Sequence, residues 1–267
     1  MKKRVLTMLF AAFSILPIFG CSNDQMESDT PEYADSAFMS DLSESLMDRW
    51  DEAAKLDQSG YDPYSKEYQE DLIALIDIEL NNISEYRSAT FEDRNLQEAA
   101  ISYINILEDT KEAANLLTID YEDYSLKWTE SYNERSKAIA EFASDFGLTV
   151  DEAHQSELND FIGTAQQIED DEALQEKVNN MLAGLQFSAT EQSGSYVTYS
   201  ATLTNNTGAD FAYINMTIDL IDENELILEQ AYCNVGVLAD GKSILLEFVS
   251  DKQFAAYQIH ADYDFQR

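Results

Sequence analysis

The sequence predicts an α+β protein with two domains, an all-α helical bundle over residues 36–185 and a small antiparallel β-sandwich over residues 186–267. Apolar residues recur every three or four positions in the first segment, which is the period of an amphipathic helix. In the second segment they alternate every second position, which is the period of a half-buried strand. Because strands and helices do not alternate along the chain, the parallel α/β sheet usual in solute-binding proteins is not expected.

The first 20 residues have the composition of a secretory signal, with a basic start at Lys2-Lys3-Arg4 and an uncharged run over residues 5–20 that is too short to span a bilayer. Cys21 follows Ile18-Phe19-Gly20 directly. Together these four residues resemble the lipobox of a bacterial lipoprotein signal. The resemblance implies that the Cys21 sulfur receives a diacylglyceryl group, with acyl chains such as palmitate, and that the chain is cut before it. The alternative is a plain secretory signal with an incidental cysteine.

The charge of the chain limits its partners and its means of membrane attachment. It has 16 basic and 52 acidic residues, for a formal net charge of −36, and loss of residues 1–20 leaves 16 − 3 = 13 basic residues and a charge of −39. This charge repels nucleic acids and anionic lipid head groups, so a nucleic-acid partner is not expected and the anchor must be hydrophobic. The lipobox resemblance supplies such an anchor and implies a lipid-anchored protein on a bacterial cell membrane, facing outside the cytoplasm. The polar, acidic composition of residues 21–35 predicts a flexible acidic tether.

Several apolar stripes with helical spacing define the predicted bundle, and Glu79 is a charged interruption in the second of them. The four clearest stripes are Met39, Leu42, Leu46, Trp50 and Ala53; Tyr64, Tyr68, Leu72, Leu75, Glu79, Ile83 and Tyr86; Leu96, Ala99, Tyr103, Leu107, Thr110, Ala114 and Leu117; and Tyr121, Tyr124, Trp128, Tyr132, Arg135, Ile139, Phe142 and Phe146. A fifth runs Leu158, Phe161, Ile162, Ala165 and Ile168, then Leu174, Val178, Met181 and Leu185.

Helix boundaries are predicted from capping residues and glycines. Gly60 and Gly147 are expected to follow the first and fourth helices. Thr149 with Glu152 predicts a capping box for the fifth helix, and Thr90 before Asp93 predicts the start of the third. The pair Asp170-Asp171 is expected to break the fifth helix. No proline follows Pro63, which favours long uninterrupted helices.

Period-two alternation begins near Gln186. The inward-facing sets are expected to be Val197, Tyr199, Ala201 and Leu203; Ala212, Ile214, Met216, Ile218 and Leu220; Ile244, Leu246 and Phe248; and Tyr257, Ile259, Ala261 and Tyr263, with Phe211 on the opposite face of its strand. Turn sequences separate these runs at residues 205–208, 222–224 and 239–241. Hairpin-type spacing of this kind predicts antiparallel sheets.

The C-terminal segment resembles the FxLYD domain of bacterial surface lipoproteins. The motif residues are Ile218-Asp219-Leu220-Ile221-Asp222, preceded by Thr204-Asn205-Asn206-Thr207 and followed by Gly241-Lys242-Ser243. Here Ile218 replaces the Phe and Ile221 the Tyr, while Asn224 stands where the family often has a turn glycine and is expected to take the left-handed backbone conformation. The resemblance covers residues 187–267 and implies an immunoglobulin-like fold with no known catalytic role.

Cysteine and histidine are scarce, which limits the expected chemistry. With Cys21 lipidated, Cys233 is the one remaining cysteine, and its apolar surroundings predict a small buried side chain in preference to a reactive thiol. His154, beside Asp151, Glu152 and Glu157, allows a carboxylate-rich metal site, but a solvated helix face is favoured. His260 is expected on an exposed strand face. Gly-x-Ser-x-Gly and His-x-x-x-His motifs are absent, so nothing indicates nucleophilic catalysis or a zincin site.

Two further residue groups have alternative interpretations. Asp219, Asp222, Glu223 and Glu225 suggest calcium, but they lack the spacing and glycine of an EF-hand, and a charged hairpin tip is favoured. Seven aromatic residues could form a platform for sugars or peptides, although their helical spacing favours core packing; they are Trp50, Tyr64, Tyr68, Tyr121, Tyr124, Trp128 and Tyr132.

The favoured functional prediction is a lipid-anchored, non-enzymatic surface protein without cofactor or metal, which binds a basic extracytoplasmic protein or peptide through a sheet edge or a groove of the bundle. One alternative is an envelope hydrolase or metal-assisted enzyme that uses carboxylates, although no particular pair is indicated. Another is a spacer or electrostatic coat without a discrete binding site.

Overall fold

The computed structural model describes residues 33–266, so the predicted signal segment (residues 1–20), Cys21 and most of the tether lie outside the described residues. It is a mixed α+β structure in which five helices precede two small antiparallel sheets. The helices are α1 (Asp35–Asp57), α2 (Lys66–Ile83), α3 (Arg94–Ala114), α4 (Tyr121–Asp145) and α5 (Gln155–Ala183). The strands are β1 (Ser188–Ser193), β2 (Tyr196–Thr204), β3 (Phe211–Ile221), β4 (Ile227–Val235), β5 (Ser243–Ser250) and β6 (Ala256–Phe265).

Side-chain caps precede α2, α3 and α4, whereas α1 and α5 start without one. Two helix starts differ from the prediction. Asp93, not Thr90, begins α3, because its carboxylate accepts hydrogen bonds from the backbone N–H of Asn95 at 2.8 Å and of Leu96. The capping box expected at Thr149 is also wrong. Asp151 caps a short 3₁₀ turn by accepting from the backbone N–H of His154 at 3.1 Å, and α5 starts only after this turn.

The helical core forms where α1 to α4 and the first half of α5 bring their apolar faces together. Phe38 of α1 is fully buried and its ring packs 5.6 Å from that of Phe142 on α4. Gly147 follows α4 with φ of +73°, which confirms its predicted position after the helix end. Helix α5 is continuous, so the break expected at Asp170-Asp171 is wrong. Both carboxylates face solvent there, and aspartate inside an exposed helix costs only a fraction of a kcal/mol, about 0.7 at most.

Two three-stranded antiparallel sheets, with strand orders β1-β2-β5 and β4-β3-β6, share one hydrophobic core. Leu203 and Phe248 contribute from the first sheet, and Ile214 and Ile218 from the second. Phe211 is fully buried, which differs from the outward position predicted from alternation. A register shift between Phe211 and Tyr213 explains the difference, because such an irregularity turns one side chain to the other face of the strand.

The end of α5 belongs to the core of the β part. Val178 and Met181 of α5 and Leu185 pack in the same cluster as the two sheets. The hydroxyl of Tyr257 on β6 donates to the carbonyl of Leu185 at 3.1 Å and accepts from the backbone N–H of Phe187 at 3.1 Å. The hydrophobic core thus crosses the boundary predicted at residues 185 and 186, and α5 is shared by the helical and β parts. None of the described helices is long and apolar enough to cross a membrane.

The β3–β4 hairpin adopts a different turn from the one expected at Asn224. Glu225, with φ of +64°, takes the left-handed conformation in its place. The carboxylate of Asp222 accepts from the backbone N–H groups of Asn224 at 2.7 Å and of Leu226 at 2.9 Å. These two bonds fix the turn so that the left-handed position falls one residue later than the sequence suggests.

Candidate functional site

The helical part has two ends with different surfaces. At the end we call proximal, the carboxylate of Asp35 at the start of α1 accepts from the backbone N–H groups of Glu92 and Asp93, between α2 and α3, at 2.8 and 2.9 Å. The opposite end, which we call distal, is formed by residues 58–65 between α1 and α2 and residues 115–120 between α3 and α4. Because α1 has 23 residues, the two ends are about 35 Å apart.

The distal end carries a line of aromatic side chains that we call the aromatic row. Tyr64 and Tyr121 lead it, with ring centroids 5.0 Å apart and planes at 64°. Tyr124 follows at 5.7 Å from Tyr121, and Trp128 at 5.6 Å from Tyr124. Tyr64 is 61% exposed and Tyr121 50% exposed, while Tyr124 and Trp128 pack partly against the helical core. The row therefore has an outer exposed half and an inner supported half.

The seven aromatic residues for which the sequence favoured core packing fall into a group that packs in or against the core and an exposed group. Trp50 lies in the core, and Tyr68 packs against it. The prediction is wrong for Tyr64, Tyr121 and Tyr132, which are exposed. For Tyr64 and Tyr121 the physical reason is their position: Tyr64 precedes the N-cap Ser65 of α2, Tyr121 begins α4, and the first turn of a helix extends beyond the layer that its neighbours cover.

The charges around the aromatic row are mostly negative. Residues 55–71 and 115–130 contain three lysines and nine carboxylates, which gives 3 − 9 = −6. Lys55, Lys66 and Lys127 are each within 2.9 Å of a carboxylate oxygen on their own helix. In the described part of the chain, no salt bridge involves Asp57 or Glu122. The lysines of this end are thus neutralised locally and an excess of carboxylates remains.

An acidic groove of about 700 Å³ runs along α1 from Met39 to Asp51, beside the connection from α4 to α5. Glu44, Asp48, Asp51 and Asp151 line it together with His154. The imidazole Nδ1 is 2.7 Å from Asp151 Oδ1 and Nε2 is 3.3 Å from Asp51 Oδ1. Hydrogen bonding to Asp151, and secondarily to Asp51, raises the pKa of His154. The imidazole therefore links the α4–α5 connection to α1.

Among the described residues, no group of three or more His, Cys, Asp or Glu side chains is arranged so that it could hold a metal ion. At the β3–β4 hairpin, Asp219 accepts from Gln230 Nε2 at 2.8 Å and lies 3.2 Å from His260 Nε2, while Asp222 caps the turn. These contacts do not form a set of calcium ligands at the hairpin.

His260 is exposed, as expected. Cys233 is buried, as predicted, and burial raises the pKa of its thiol.

A buried charge cluster lies inside the helical part, and sequence reasoning missed it. Glu79 Oε1 accepts from Arg49 Nη1 at 2.5 Å and from Arg135 Nη2 at 2.8 Å. Its Oε2 accepts from the hydroxyl of Tyr103, to which Arg135 Nε also donates at 3.2 Å. The guanidinium of Arg135 lies 4.8 Å from the centroid of the Phe161 ring. These contacts join α1, α2, α3 and α4 and reach α5.

The protonation states in the buried charge cluster follow from burial and mutual contact. Burial alone would raise the pKa of Glu79, but Arg135 and Arg49 outweigh it and the pKa is lowered. Burial lowers the pKa of Arg49, and Arg135 contributes to the same shift. Two guanidiniums and one carboxylate leave a formal charge of +1 among buried side chains. The signal for the cluster was present in the sequence, because Glu79 and Arg135 both occupy apolar stripes.

No protein-family model, curated protein or solved structure matches the chain.

Proposed function

We propose that the chain is a lipid-anchored, extracytoplasmic binding protein of a bacterial cell surface, which acts by contact with a basic partner and not by catalysis. The proposal for its location depends on the lipobox-like sequence ending at Cys21. Cys21 precedes Tyr33 by 33 − 21 = 12 residues, which span at most about 40 Å. The tether would join the helical part at its proximal end, where Asp35 begins α1.

One observation carries the binding proposal: the exposed half of the aromatic row lies at the distal end, opposite the attachment of the tether. Exposed aromatic side chains in contact with each other are characteristic of interaction surfaces, because water solvates such rings poorly. The buried charge cluster and the core rings hold α2 and α4 in register; α4 carries Tyr121, Tyr124 and Trp128, and Tyr64 directly precedes the N-cap of α2. A rigid support of this kind lowers the entropic cost of binding.

For the β part, we propose an immunoglobulin-like sandwich of the FxLYD type. Three strand pairings support this assignment. Strand β2 pairs with β5, and β3 pairs with β6 and β4. In order along the chain, these pairs correspond to the B–E and C–F pairs of immunoglobulin domains, with β4 beside C as in variable-type domains.

The membrane attachment is tested by fractionation of cells that express the full chain or its Cys21→Ser variant. We expect the wild type in the membrane fraction with an N-terminal peptide whose mass includes the diacylglyceryl group, and the variant in the soluble or secreted fraction. A variant that stays with the membrane, or a native N-terminus without lipid, refutes the anchoring proposal.

The binding role is tested by a photo-crosslinking amino acid placed at Tyr64, compared with the same residue at Tyr196. Tyr196 is a matched control, because it is 55% exposed but lies on β2. After irradiation of intact cells, we expect a discrete crosslinked product from position 64 and none from position 196. Equal products from both positions, or none from either, contradict a specific partner at the aromatic row.

A further inference from the structure

We propose that the aromatic row binds an extended peptide segment bearing lysine or arginine, whose cationic groups lie over the exposed rings of Tyr64 and Tyr121. This inference rests on the proposed function and deepens it, because it assigns the basic partner to one surface and one mode of contact. It requires exposed ring faces, a negative surrounding field and ring spacing that suits a peptide. Each is found at the distal end.

The ring faces at this end have no cation over them. In the part of the chain that the structure describes, the cation placed over an aromatic ring is Arg135, above Phe161 in the interior. The nearby Lys66 and Lys127 are held at 2.9 Å by Glu70 and Asp123 on their own helices. Cation–π contact with Tyr64 and Tyr121 is therefore left for a partner to supply.

The surrounding charge selects the kind of partner. The formal charge of −6 over residues 55–71 and 115–130 attracts a cationic segment and repels a phosphorylated or polyanionic one. A neutral sugar could stack on the same rings, but it would gain nothing from this field. A cationic group is the ligand that interacts favourably with both features of the surface, the exposed π faces and the uncompensated carboxylates.

The spacing of the rings suits an extended chain. Ring centroids in the aromatic row are separated by 5.0, 5.7 and 5.6 Å. Side chains on one face of an extended peptide are about 6.6 Å apart, since each residue advances about 3.3 Å. Long lysine or arginine side chains accommodate the difference, so alternate cations of one segment can reach successive rings.

The test uses the purified full chain in neutral detergent and fluorescence anisotropy at physiological salt. The probe is a labelled 12-residue peptide of alternating lysine and glycine; the comparison ligands are the same peptide with glutamine for lysine, and a labelled neutral β-1,4-glucan hexasaccharide. The protein variants are Tyr64→Ala/Tyr121→Ala, Tyr64→Phe/Tyr121→Phe and the control Tyr196→Ala. All three positions are exposed, and thermal unfolding checks that each variant folds.

We expect the lysine peptide to bind the wild type and the glutamine peptide to bind at least tenfold more weakly. The double Ala variant should weaken lysine-peptide binding by about 5- to 30-fold, since each exposed cation–π contact is worth about 2- to 5-fold. The double Phe variant and Tyr196→Ala should stay within about 2-fold of the wild type, because phenylalanine keeps the π face.

Three results would overturn the inference. Absence of lysine-peptide binding removes it, and unchanged binding by the double Ala variant assigns the affinity to general charge alone. Preferential binding of the hexasaccharide assigns the rings to sugar. The peptide-binding result and the anchoring result are independent of each other. A Cys21→Ser protein that stays with membranes would refute the anchor, but it would not change peptide binding by the purified chain.

Discussion

Replacement of Glu79 by glutamine tests whether the buried charge cluster holds the helices together. The change keeps the shape of the side chain but removes the negative charge between Arg49 and Arg135, so the formal buried charge rises from +1 to +2. Two hydrogen bonds to a charged group, at 2.5 and 2.8 Å, are weakened; each is worth about 1.5–3 kcal/mol. Breaking a buried pair on one side costs about 3–5 kcal/mol.

We therefore expect Glu79→Gln to lower the free energy of unfolding by about 4 kcal/mol, a large part of the roughly 5–15 kcal/mol of a typical domain. The measurement is urea unfolding followed by far-ultraviolet circular dichroism. Asp77→Asn is the matched control on the same helix. Asp77 pairs with Lys111 at 2.6 Å, but both side chains are about a third exposed, so a loss of about 0–1 kcal/mol is expected.

A loss below about 1 kcal/mol for Glu79→Gln would refute this reasoning, since such a value is typical of a solvated pair. A second variant separates charge from packing. Arg49→Met/Glu79→Leu/Arg135→Met removes all three charges together and should be within about 2 kcal/mol of the wild type or more stable. If it is as unstable as Glu79→Gln, the cluster acts through shape and not through charge balance.

The acid dependence of stability provides an independent check on Glu79. Its pKa in the folded state lies below the unfolded value, so its stabilisation is complete above the unfolded pKa of about 4.3 and is lost as pH falls through the folded pKa. The difference in unfolding free energy between wild type and Glu79→Gln should therefore shrink towards acid. A difference that stays constant below pH 4 contradicts the assigned ionisation.

Three other predictions concern turns, caps and histidine. Glu225→Gly should stabilise the protein by about 0.5–1 kcal/mol, because it relieves a left-handed non-glycine residue, whereas Glu223→Gly should destabilise it by a similar amount; chemical unfolding measures both. Asp93→Ala should cost about 1 kcal/mol in the same assay and Thr90→Ala much less, since the Asp93 side chain caps α3; equal losses would contradict the cap assignment. Because the pKa of His154 is raised, its contribution is complete below about pH 6.5 and is lost as pH rises through the folded value, so thermal unfolding from pH 5 to 9 should show a decline that His154→Gln lacks.

Much of the helical part was predictable from the sequence, because apolar spacing identifies which face of each helix turns inward. The ends were less predictable. Thr90 and Thr149 resembled caps, but Asp93 caps α3 and Asp151 caps the 3₁₀ turn that precedes α5. Several oxygen-bearing residues near each start compete, and packing decides which one is used. Asp170-Asp171 did not interrupt α5, because neighbouring carboxylates that both face water need no break.

The sequence by itself determined the α+β class, the order of helices before strands, the buried state of Cys233 and the strongly acidic character of the chain. Only the tertiary structure decided that Glu79 meets Arg49 and Arg135, which are 30 and 56 residues away, and that Tyr64 and Tyr121 meet on the surface. The physical reason is that periodicity reports the apolar face of one helix and carries no information about which helix packs against it. A charged residue on such a face is therefore a sign of a buried partner, whose identity depends on the packing of the whole bundle.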